Sequence, residues 1–137
     1  MQYRERSIKN ELPAVMMTNS YTSGYDQHRQ EYLSWSRLLE TLGQESAFLK
    51  TRLSEAVDRG IDKEALALAE HFQNQFIIKD DCINELKQDI QIANNNMPVI
   101  MQEAKQNKLR NEIRYFEKSF YELKNEFDKF LLSVSGA

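Results

Sequence analysis

The amino-acid sequence predicts an all-α chain: an antiparallel three-helix bundle of long helices with coiled-coil-like heptad packing, preceded by an irregular N-terminal tail. Three observations carry this reading. Large apolar residues recur at alternating steps of four and three along most of the chain, which is the period of a helical seam. Only four glycines and two prolines occur in 137 residues, so long uninterrupted elements are expected. The two clusters of turn-forming residues inside the patterned region, Asp58 to Asp62 and Asn94 to Pro98, divide it into three rods of similar length.

Residues 1–25 lack the period, with Pro13 and the polar run Thr18 to Gly24 pointing to turns. They read as a flexible or loosely docked tail, and residues 26–137 as the bundle. The tail still carries Ile8, Leu12, Val15, Met16 and Met17, a strip apolar enough to engage a partner.

Helix one is expected over about residues 26–58, where His28, Tyr32, Trp35, Leu39, Leu42, Ser46, Leu49, Leu53 and Ala56 form the seam. Leu38, Phe48 and Val57 would widen it, as a helix touching two neighbours requires. Gly60 then falls where a left-handed C-terminal cap belongs, and Asp62 where a carboxylate caps the next helix.

Helix two, about 63–95, presents Leu66, Ala69, Phe72, Phe76, Ile83, Leu86, Ile90 and Ala93. Its seam is broken between Phe76 and Ile83, where Lys79 or Asp80 stands in an apolar position, and Gln73 lies at another near-seam position. A polar layer there would set register. Counting back along the hairpins places it near Leu42 and Phe116.

Helix three, about 98–134, begins at a proline suited to a first helical turn. Leu109, Ile113, Phe116, Phe120, Leu123, Phe127, Phe130 and Val134 keep the alternation unbroken, and Gln102 and Gln106 continue it backwards in polar form. Four of the seven phenylalanines lie on this stripe, so helix three should supply most of the aromatic core.

Composition narrows function more than motifs do. A net charge of −3 gives no general attraction for phosphate backbones or anionic lipids. Cys82 is the only cysteine, which excludes an intramolecular disulfide and suits a cytoplasmic setting. No secretion signal or membrane span is expected, and no membrane partner.

No Gly-rich phosphate loop, Gly-x-Ser-x-Gly elbow, His-Glu-x-x-His or Cys-x-x-Cys is present. His28 with Glu31 is the nearest approach to a metal site, but the Glu-x-x-His repeats of di-metal bundles are missing. Asp80 and Asp81 disfavour a Cys82 thiolate. The expectation is therefore no catalytic, cofactor or metal site.

Arg110, Arg114 and Lys118 fall at steps of four and form a basic stripe, with Lys105 and Lys108 just before. The stripe suits an acidic protein partner. The reading is a non-enzymatic interaction or scaffold protein that binds protein partners or self-associates. The alternatives are a small-ligand or metal-binding bundle, and a nucleic-acid accessory protein using the basic stripe.

Overall fold

A computed structural model describes residues 20–135, with side chains described for residues 28–95 and 97–135. The chain forms three packed α-helices, with no strand among the described residues: α1 spans Ser20–Asp58, α2 Lys63–Asn96 and α3 Val99–Ser135. The described residues fall into two compact units, divided within α1 between Trp35 and Ser36.

The start of α1 departs from expectation, because the helix runs through Gly24 instead of beginning near Asp26. Nucleation is the costly step in helix formation, and each further turn needs only local bonds. With no proline between Pro13 and Pro98, nothing stops the heptad-bearing helix from extending backwards through the polar run. The tail strip of Ile8, Leu12, Val15, Met16 and Met17 lies outside the described residues. In the first unit Tyr32 and Trp35 are buried, as the seam required, and their rings meet edge to face at 5.7 Å.

In the second unit the connections follow from their turn residues. Gly60 takes a positive φ of 92° and donates its N–H to the Val57 carbonyl, closing α1 in the conformation that glycine adopts most readily. Asp62 accepts the Ala65 N–H at 2.8 Å and caps α2. At the other turn Gln102 donates from Nε2 to the Ala93 and Met97 carbonyls at 2.9 and 3.2 Å, so one side chain covers acceptors left open at the end of α2. Both short connections make neighbours antiparallel. Glu40 meets Lys87 at 3.0 Å while Lys50, further along α1, meets Asp80, earlier on α2.

The seam is buried as its period implies. From Leu39 to Ala56 on α1, Ala69 to Ala93 on α2 and Leu109 to Phe130 on α3, the apolar residues at seam positions are buried, together with Ser46 and Gln106. The aromatic centre joins α2 and α3: Phe72 meets Phe127 and Phe130 at 5.3 Å each, and Phe76 meets Phe127 at 5.1 Å with perpendicular rings. Helix two thus shares the aromatic core with helix three.

Three side chains depart from the expected pattern. Phe48 is 55% exposed and does not widen the core; it points outward, and the Arg52 guanidinium lies 5.8 Å above its ring, covering the apolar face. Leu66 is exposed, because α2 begins only three residues earlier. Leu131, off the alternation, is buried.

Candidate partner-binding surface

The polar layer in α2 is real but opens in two directions. Lys79 reaches toward α3, donating to Ser119 Oγ with its ammonium 5.9 Å from the Phe116 ring. Asp80 turns to α1, where it accepts the Ser46 hydroxyl at 2.8 Å and pairs with Lys50 at 2.5 Å. The expected neighbour Phe116 is therefore found, whereas Ser46 and Lys50 take the place of Leu42. A fully buried serine opposite a half-buried carboxylate explains why the seam tolerates polarity here: each group satisfies the other. Gln73 is exposed and is no part of this layer.

Two grooves follow the α1–α2 face. One, about 430 Å³, is lined in part by Glu40, Gly43, Lys50, Asp80 and Lys87; the other, about 290 Å³, by Leu53, Val57, Leu66 and Gln73 among others. The cations of the larger groove are already paired, Lys50 with Asp80 and Lys87 with Glu40. Little uncompensated charge is left to orient a polar ligand. Among the described residues no group of three His, Cys, Asp or Glu side chains could hold a metal ion. His71 is exposed with its ring 5.6 Å from Phe72, and Cys82 is half-buried.

The basic stripe on α3 is only partly as expected. Arg114 and Lys118 are exposed, and among the described residues neither forms an ion pair. Arg110 is half-buried and donates to Asn107 at 2.6 Å, so its guanidinium is engaged within the molecule and the outer stripe is shorter than the spacing suggested.

Two aromatics join it. Tyr115, beside Arg114 and three residues before Lys118, is 76% exposed, and Tyr121, three residues after Lys118, is 44% exposed. Tyr121 leans edge-on against buried Phe120 at 5.8 Å, which holds its ring in place. The spacing of the charged residues takes no account of these rings. The signal was present: 115 and 121 both miss the seam positions 113, 116, 120 and 123 and so must project outward. Charge spacing alone did not reveal it.

The outer face of α3 thus combines two unpaired cations with two exposed phenol rings over about two turns. Tyrosine supplies large contact area at low entropic cost, and tyrosine and arginine are both enriched among the residues that dominate the energetics of protein interfaces. No protein-family model matches the chain, and no curated protein or solved structure matches it.

Proposed function

We propose that this chain is a non-enzymatic helical interaction module that binds an acidic protein partner through the outer face of α3. The observation that carries the reading is Tyr115, the large aromatic left 76% exposed between Arg114 and Lys118. A ring so placed gains little from the chain's own fold, whereas against a partner it would bury apolar area beside two charge-assisted hydrogen bonds. In this reading the three-helix core is the rigid support that holds the four side chains, and the protein works in the cytoplasm.

The test is capture of partners from native extract by the full chain, with Arg114→Glu/Lys118→Glu and Tyr115→Ala in parallel. A specific partner should lose at least about tenfold in affinity with either variant, the usual scale for a hot-spot residue. A partner retained equally by all three proteins would rule out this face.

The nucleic-acid reading gains one observation, since exposed tyrosines beside cations also suit base stacking. Glu112, Glu117 and Glu122 on the same helix weigh against it. Titration with single-stranded RNA and DNA at low salt separates the two: tight, salt-sensitive binding would favour nucleic acid.

A further inference from the structure

We propose that the larger α1–α2 groove is the contact face of a homodimer, on which a second copy of this chain seats with its α1 antiparallel to α1. Beside the buried seam, α1 carries a second alternation of fours and threes: Ser36, Glu40, Gly43, Ala47, Lys50 and Ser54. That period marks a further helix-packing face. Its middle is open, with Glu40 and Ala47 exposed and Gly43 half-buried, and it forms the 430 Å³ groove together with Asp80, Asn84 and Lys87 of α2. Nothing within the protomer calls for a glycine at 43. A Cβ there would meet Ile83 Cδ1 at an ordinary 4.0 Å, and glycine is a poor residue for a helix interior. What the missing side chain provides is room for another backbone to come close.

The charges of the groove select the occupant. Glu40 pairs with Lys87 at one end and Lys50 with Asp80 at the other. The acid stands on α1 at the first end and on α2 at the second, so these four charges cancel and their order reverses from end to end. An acidic or a basic segment laid along the groove would meet as much repulsion as attraction. A second copy related by a two-fold axis through the middle of the groove meets attraction at each corner: Glu40 faces Lys50 of the second copy, Lys87 faces its Asp80, and symmetry repeats both. One axis serves both helices, because the two ion pairs hold the midpoint of Glu40 and Lys50 level with that of Asp80 and Lys87. The same axis sets Gly43 against Ala47 and Ser36 against Ser54 of the second copy, small residue against small residue. At about 1.5 Å per residue the stretch from Ser36 to Ser54 is roughly 27 Å long. Two such helices about 10 Å apart cover on the order of 500 Å² per protomer, an area that suits a reversible dimer.

The experiment is analytical ultracentrifugation of the full chain from micromolar concentration to about 1 mM, with Glu40→Lys and Lys50→Glu run singly and as an equimolar mixture. The full chain should pass from monomer to dimer as concentration rises. Each variant alone should dimerise at least about tenfold more weakly, because like charges then face each other at both ends. The mixture should recover the dimer, since the two introduced charges meet at one end and the two native ones at the other. Gly43→Gln, whose Cβ has room within the protomer, should keep its helix content by circular dichroism and stay monomeric. A monomer at every concentration, a dimer indifferent to the charge changes, weakening without recovery in the mixture, or a Gly43→Gln dimer as strong as the parent's would each overturn the proposal. Arg114, Tyr115 and Lys118 are untouched by these substitutions, so the result is independent of the proposed acidic partner.

Discussion

Phe127 is fully buried where Phe72, Phe76 and Phe130 converge. Truncation to alanine leaves a cavity that two helices border and neither can fill. Phe127→Ala should therefore cost about 3–5 kcal/mol, a large share of the roughly 5–15 kcal/mol typical of a domain, read as a shift in the urea midpoint at unchanged slope. Among the described residues, two bear on stability at alkaline pH. Burial, and then the charge of Glu31, raises the Tyr32 phenol above its ordinary 10.0. The unfolded phenol loses its proton first, so stability falls as pH rises through and beyond about 10. The hydrogen bond to Glu45 raises the Lys124 ammonium above 10.5, and its contribution is likewise present below that value and lost as pH rises through the raised one. Denaturation midpoints should be flat from pH 8 to about 10 and fall above it, and Tyr32→Phe should make the fall shallower.

At the scale of elements, what the sequence made legible depended on how locally each feature was determined. The capping roles of Gly60 and Asp62 need only their neighbours, and both hold. The seams rest on periodicity and are buried accordingly, whereas the divergence of Lys79 and Asp80 depends on Ser119 and Ser46, residues 40 and 34 positions away. Spacing marked that layer as an anomaly without saying where each side chain would turn. The start of α1 lies upstream of Gly24, because helix propagation outweighs the local turn preference there. Gly60 permits a clean test of the connection: a Cβ there meets nothing within 4 Å, so only the backbone conformation is at issue. Gly60→Ala should cost about 1–2 kcal/mol, measured as a lower melting temperature with helix content unchanged.

At the scale of the whole molecule, the packed core leaves one surface with chemistry to spare, the tyrosine and cation face of α3. Arg114 and Lys118 are legible from spacing by fours, and Tyr115 and Tyr121 from their positions off the seam. Arg110 could not be separated from them by sequence, since its engagement with Asn107 is a matter of rotamer and burial. The most direct test of the central claim is site-specific photo-crosslinking in native cells, with a photoreactive phenylalanine analogue at position 115 and, as a control, at exposed Asn74 on the outer side of α2. The account predicts one dominant protein adduct at position 115, absent at 74 and lost when Arg114→Glu/Lys118→Glu is added. An adduct of equal strength at both positions, or one indifferent to the charge reversal, would contradict it.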